Sequence, residues 1–183
     1  MSPRSADAAG VLLYGAPGTG KDTVTAALTV TGRFAHFPPL KCGSGRAAGY
    51  RPITSDELLA LDPDEILWRT NAYESVYVVD RSGVEAVLAA GLIPVLHLGV
   101  PAAVEAIPSR MAHIDWLTVE LSCPREVAHA RIVARRTGDA AARMARWDAT
   151  PHLEHAALRI DTSSTAASDA ADEIRRMVQH RRP

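Results

Sequence analysis

The chain has 183 residues and a formal net charge of −1, with 20 Lys and Arg against 21 Asp and Glu, and 47% of its residues are hydrophobic. This length suits one α/β domain with a full core, and near neutrality argues against a general nucleic-acid or membrane-surface binder. No apolar run reaches the roughly 18 residues of a membrane span, and the two cysteines, Cys42 and Cys123, stand at no metal-ligand spacing, as expected of a reduced, cytoplasmic protein.

Residues 1–9 are small and polar, with no apolar signal segment. They read as a disordered leader, which leaves residues 10–183 as a single domain. Val11-Leu12-Leu13-Tyr14 reads as a buried strand, and Thr23 to Leu28 as a helix. Between them lies Gly15-Ala16-Pro17-Gly18-Thr19-Gly20-Lys21-Asp22-Thr23. Strand, glycine-rich turn and helix form the context of a phosphate-binding loop, and the spacing Gly15-x4-Gly20-Lys21 fits. Glycines let several backbone N–H groups converge on one anion. The helix N-terminus adds a positive dipole end, and Lys21 adds a full charge. Residue 22 is Asp, where many such loops carry Ser or Thr. Asp22 and Thr23 are the candidate metal ligands, because a carboxylate beside phosphates calls for a cation between them.

Thr31-Gly32 reads as a helix stop. From 33 to 79 the character changes: Pro38-Pro39 and Gly43-Ser44-Gly45-Arg46 break regularity, and Thr54 onward reads as a short capped helix. This stretch is expected to be an inserted subdomain outside the parallel sheet. Val76 to Asp80 has the form of a Walker-B strand, an apolar run ending in Asp, although a helix N-cap for Ser82 onward serves Asp80 equally well. A helix from Ser82 to Ala90, a strand from Leu92 to Leu98, a Pro101-initiated helix, a strand from Trp116 to Leu121 and a helix from about Arg125 to Arg135 follow. A last short strand, Leu158 to Asp161, leads to a terminal helix from Ala166 to Gln179. Alternating strands and helices imply a parallel sheet covered on both faces, with ligands beyond the strand C-termini.

Residues 131–146 hold five arginines. Arginine clamps phosphate bidentately, and the Thr137-Gly138-Asp139 break would let the segment hinge. Arg135, Arg136 and Arg143 are therefore the candidates to close over a transferring phosphoryl group.

The order of parts resembles the guanylate kinase family of P-loop kinases: phosphate loop, acceptor-binding insertion, central strands, arginine-rich lid. Gly49-Tyr50-Arg51-Pro52-Ile53-Thr54-Ser55-Asp56-Glu57-Leu58 resembles that family's Gly-x-x-Tyr-x-Phe-x-Ser run. The resemblance implies that Tyr50, Tyr77 and Lys41 contact an acceptor phosphate, and it places Asp80 in the acceptor region. Pro38 stands where the family has a second acceptor arginine, for which Arg46, Arg51 or Arg33 would compensate. Trp68 stands where the family reads guanine with an acid, either stacking on an acceptor ring or serving as core. His97-Leu98-Gly99 replaces an acidic strand end. Loss of a carboxylate from a guanine-selecting site costs discrimination on the order of 2–5 kcal/mol, so plain GMP is a doubtful acceptor. On these points the chain resembles the ribose 1,5-bisphosphate phosphokinases, which also carry Gly-Lys-Asp in the loop.

The resemblance thus implies an α/β P-loop NTPase-type sheet and a cytoplasmic phosphotransferase using ATP and Mg²⁺ on a small phosphorylated acceptor, as a monomer or homodimer. A catalytically silent nucleotide-binding relative is the other outcome.

Overall fold

The structure is a computed structural model and describes residues 8–45 and 48–181. In chain order the elements are β1 (Ala9–Tyr14), α1 (Lys21–Thr29), β2 (Phe34–His36), β3 (Leu40–Cys42), β4 (Arg51–Pro52), α2 (Ser55–Leu59), β5 (Ile66–Ala72), β6 (Ser75–Asp80), α3 (Arg81–Ala89), β7 (Ile93–Leu98), α4 (Pro101–Arg110), β8 (Asp115–Ser122), α5 (Arg125–Ala134), α6 (Ala140–Asp148), β9 (Leu158–Asp161) and α7 (Ala167–His180).

Five strands form one sheet in the order β2-β7-β1-β8-β9, with every pairing parallel. All six residues of β1 are buried, because the strand alternates between two cores. Val11 and Leu13 point to a core shared with Val24 and Leu28 of α1 and Ile174 of α7. Leu12 and Tyr14 point to the other, shared with Val84 of α3 and Ile107 of α4. A sheet covered by helices on both faces needs such continuous apolar strands. This is the α/β, P-loop NTPase-type architecture expected from the sequence.

A second sheet has the order β4-β3-β6-β5. Its β3–β6 and β5–β6 pairings are antiparallel, while β3 and β4 are parallel. Leu67 and Val79 carry it onto the second core.

Three sequence expectations are corrected here. Ala9 is not leader: it opens β1 and is buried, and residues 1–7 lie outside the described residues. The insertion does not begin at 33, because Phe34–His36 pairs with Ile93, Pro94 and Val95 as the edge of the parallel sheet. Nor is Val76–Asp80 a Walker-B strand of the main sheet: β6 is one of the two interior strands of the small one.

Candidate functional site

The glycine loop joins the C-terminal end of β1 to α1, and the backbone around it dictates its composition. Gly15 donates its N–H to the Leu98 carbonyl at 3.1 Å. A Cβ on Gly15 would lie 2.5 Å from the Leu121 carbonyl oxygen, so no side chain fits there. Gly18 has φ 82° and passes the Ala128 carbonyl of α5, where a Cβ would come within 2.9 Å. Thr19, buried, donates its hydroxyl to the Ala16 carbonyl at 2.8 Å. The α1 N-cap is Gly20, with no side chain to cap the first turn. The leading N–H groups of α1 thus have no side-chain acceptor, the condition under which a helix end receives an anion.

Lys21 donates its ammonium to the Gly15 carbonyl and to the Ala16 carbonyl at 3.0 Å. Burial lowers its pKa to about 8. Beside it, the Asp22 carboxylate lies 3.4 Å from Arg135 and 3.5 Å from His97 Nδ1. Burial holds His97 well below the usual histidine range, so its contact with Asp22 is not a charged pair. His97 Nε2 lies 2.7 Å from the Thr25 hydroxyl, and its ring packs on His36 with centroids 4.5 Å apart. From behind, Arg131 binds the Gly18 carbonyl at 3.2 Å and the Thr162 hydroxyl at 2.9 Å. That hydroxyl lies 2.9 Å from the Thr19 carbonyl. Arg131 and Thr162 therefore brace the loop from behind.

A cavity of about 770 Å³ opens in front of the loop. Its opposite wall is the small sheet, where one face is laid out in cross-strand rows by the two-residue period. Lys41, Tyr77 and Thr70 form one row across β3, β6 and β5. Val79 and Trp68 form the next, with Pro39 immediately before β3. Tyr50 packs on Tyr77 with ring centroids 5.2 Å apart, and the Lys41 ammonium sits 5.7 and 6.0 Å from those two rings. Lys41 is buried and donates to the Ser44 carbonyl at 2.5 Å. The structure thus gathers Lys41, Tyr50 and Tyr77, three residues more than 30 positions apart at the extremes, into one cluster.

The third wall is the arginine segment. Arg135, Arg143 and Arg146 line the cavity. Arg143 is oriented by Asp139, 2.8 Å away, and stacks 5.1 Å over the Tyr73 ring. Its hydrogen bond holds the Asp139 carboxyl below the usual range. Past Thr150, the Tyr14 hydroxyl donates to the Pro151 carbonyl at 2.6 Å, and burial pushes its pKa up to about 12. Arg125 holds Asp148, at the end of α6, through two bonds of 2.7 and 2.9 Å.

Five of the described sequence-nominated residues are not among those lining the cavity: Ala16, Thr19, Thr23, Arg136 and Asp80. Ala16 and Thr19 belong to the loop's own framework, and Thr23 is exposed on the first turn of α1. Arg136 takes a left-handed φ of 51° where α5 ends, is exposed, and is not among the lining residues. Asp80 is buried and turned the other way. It accepts from the Gly83 N–H as N-cap of α3 and pairs with Arg51 through two bonds. Arg51 is thereby committed to Asp80 and to the Pro38 carbonyl, and Arg46 lies outside the described residues. Trp68 does both things considered for it, since it lines the cavity and packs against the second core. The sequence reading passed over His36, Thr70, Tyr73 and Arg146, which also line the cavity. A signal existed for Arg146, three residues from Arg143 and so on the same helix face.

No family model matches this chain, and no curated protein matches it in sequence. Solved structures do. A guanylate kinase from Anaplasma phagocytophilum superposes with a TM-score of 0.63 at 17% identity, covering 97% of this chain and 87% of that one. An inferred kinase from Chloroflexus aurantiacus superposes with a TM-score of 0.55 at 13% identity, covering 93% of this chain and 98% of that one. The chain therefore has a kinase-type P-loop fold over nearly its whole length.

Proposed function

We propose that the chain is an ATP-dependent phosphotransferase that moves the γ-phosphoryl group to a small acceptor already bearing a phosphate, and that it is not a GMP-specific enzyme. One observation carries this: a single cavity is faced by the glycine loop, the Lys41–Tyr50–Tyr77 cluster and the Arg135–Arg143–Arg146 wall. In this reading the loop's N–H groups, from Gly18 to Lys21, hold the donor's phosphates. Lys21 exchanges the Gly15 and Ala16 carbonyls for phosphate oxygens. Lys41 and the two tyrosine hydroxyls hold the acceptor's own phosphate. Arg143 and Arg146 neutralise charge on the transferring oxygens, with Arg135 released from Asp22 to join them. Positioning and charge supply most of the rate, so no strong general base is needed.

Among the described residues no group of three or more His, Cys, Asp and Glu is placed to hold a metal by itself. One carboxylate beside a phosphate loop suits a hard cation that takes its other ligands from phosphate and water. Asp22, with Thr23, would hold Mg²⁺, which would supply charge neutralisation for the donor's phosphates.

The departures from guanine selection have structural support. The carboxylates lining the cavity are Asp22, Glu74 and Asp139, and none occupies the Trp68 row. That same lack of a base-reading acid favours ribose 1,5-bisphosphate as the second acceptor to test.

The deciding experiment is coupled ADP release across the nucleoside monophosphates and ribose 1,5-bisphosphate, with Lys21→Ala as control. Turnover on one of these that Lys21→Ala abolishes is the expected result. Strong, selective GMP turnover would overturn the acceptor reading. ATP binding without turnover on any phosphate would identify a silent relative.

A further inference from the structure

Two polar side chains stand next to each other inside the second core. Tyr14 and Glu120 are register partners on the adjacent parallel strands β1 and β8, so they share a face of the sheet. Both are buried. A carboxylate out of water costs stability unless its oxygens are bonded, and an apolar residue would hold the sheet as well. Together the two side chains grip one short segment. Tyr14 donates its hydroxyl to the Pro151 carbonyl at 2.6 Å. One oxygen of Glu120 lies 2.7 Å from His152 Nδ1 and accepts from the Leu153 N–H at 3.4 Å. The other accepts from Arg159 at 3.1 Å, and Arg159 in turn donates to the Leu153 carbonyl at 2.6 Å. Leu153 buries its side chain in the same core.

The gripped segment follows α6 closely. Thr150 donates its hydroxyl to the Arg146 carbonyl at 2.7 Å, Arg146 lies in the last turn of α6, and both residues line the cavity. Arg125 on Asp148 is the other hold on that end of the helix. Arg143, about one turn earlier, has an orienting carboxylate of its own in Asp139. On its other side the grip reaches the phosphate loop, because Gly15 follows Tyr14 directly. A short bonded path thus runs from the loop through Tyr14 and residues 150–151 to Arg146, with Glu120 holding the next two residues.

Resting on the phosphotransferase reading above, we propose that Tyr14 and Glu120 are positioning residues for phosphoryl transfer: they hold residues 151–153 against the sheet and so set Arg146 where it meets the donor's γ-phosphate. Neither lines the cavity. Each acts through Arg146.

The test compares affinities for the β,γ-imido analogue of ATP and for ADP, both with Mg²⁺, by calorimetry on the full chain. Their ratio reads the contacts of the γ-phosphate without an acceptor or turnover. Arg146→Ala is expected to lower the ratio about tenfold, and Tyr14→Phe, which removes one hydroxyl, about threefold or more. In the Arg146→Ala background Tyr14→Phe should have no further effect, because its influence passes through that guanidinium. Glu120→Gln keeps an oxygen for the Leu153 N–H and should stay within about twofold of the unaltered chain, whereas Glu120→Leu should match Tyr14→Phe. Urea midpoints are measured for every variant. Arg51→Ala breaks a buried ion pair elsewhere, so it should lower the midpoint and leave the ratio alone. If Glu120→Leu does not fold, the cycle of Tyr14→Phe with Arg146→Ala decides by itself. Losses that multiply in the double variant would overturn the proposal, as would a ratio indifferent to Tyr14→Phe, a ratio that falls with Arg51→Ala, or a ratio near one in the unaltered chain. Any of these beside acceptor-dependent ADP release leaves the phosphotransferase reading standing. A ratio that depends on Tyr14 through Arg146, with no ADP release on any acceptor, sinks that reading instead.

Discussion

The two facing walls of the cavity are specified in different ways. In the loop between β1 and α1 the main chain makes the site: Gly15 and Gly18 are there because Leu121 and Ala128 carbonyls leave no room for a Cβ, and the recognising groups are N–H bonds common to every residue. On the small sheet the side chains make the site, and the backbone only sets them in register: Lys41, Tyr77 and Thr70 meet because β3, β6 and β5 align. A wall made of backbone tolerates few sequences and accepts one kind of ligand. A wall made of side chains can be rewritten residue by residue, so in the proposed function substitutions there should alter acceptor binding while leaving the loop's geometry intact.

The contrast is testable from its strongest consequence downward. Lys21→Ala should lower turnover by about 10³-fold or more, since it removes a full charge from the transferring group, with the thermal midpoint nearly unmoved. Arg143→Ala and Arg146→Ala should each lower kcat by about 10–100-fold, whereas Arg136→Ala should stay within about twofold because it points elsewhere; equal losses at 136 and 146 would contradict the placement. Lys41→Met should raise the acceptor KM by about 10–100-fold and leave the ATP KM alone, separating the two walls kinetically.

Two smaller effects probe the scaffold. Arg51→Ala deprives the buried Asp80 of its charged partner and should cost about 1–3 kcal/mol in urea unfolding, without altering either KM of the folded protein. Tyr14 supplies a pH effect. Its folded pKa of about 12 lies above the ordinary 10.0, so the unfolded chain loses the proton first. Its contribution is therefore complete below pH 10 and declines as pH rises from 10 to 12. Tyr14→Phe should flatten that part of the stability profile, as followed by denaturant midpoints across the range.

This division also explains what the sequence disclosed. The loop's place was legible, because glycine spacing between an apolar strand and a helix is a local pattern, although α1 begins at Lys21, two residues before the start at Thr23 expected from the sequence. The helices and the long strands were legible from their periodicity and their Gly and Pro stops. The small sheet was legible only at β6, the apolar run Val76 to Asp80. Its strands β3 and β4 are three and two residues long, too short to show alternation, and Arg51–Pro52 carries a proline that argues against a strand at all. Phe34–His36 was hidden for the same reason, three residues running into a double proline. Asp80 had three readings, metal-site acid, acceptor contact and helix N-cap, because an apolar run ending in Asp is ambiguous until the sheet it joins is known; the structure makes it the N-cap of α3. With Arg135 and Arg136 adjacent, only the left-handed turn at 136 decides which one faces inward.

The anchoring of α6 has a mechanical consequence. Its C-terminal end is fixed by the Arg125–Asp148 pair and, three residues on, by the phenol that Tyr14 extends from the root of the phosphate loop. Its other end leaves α5 through left-handed residues 136 and 138. In the proposed function, Arg143 and Arg146 sit three residues apart on this one anchored helix, so a change at the Arg125–Asp148 pair would disturb both cations at once.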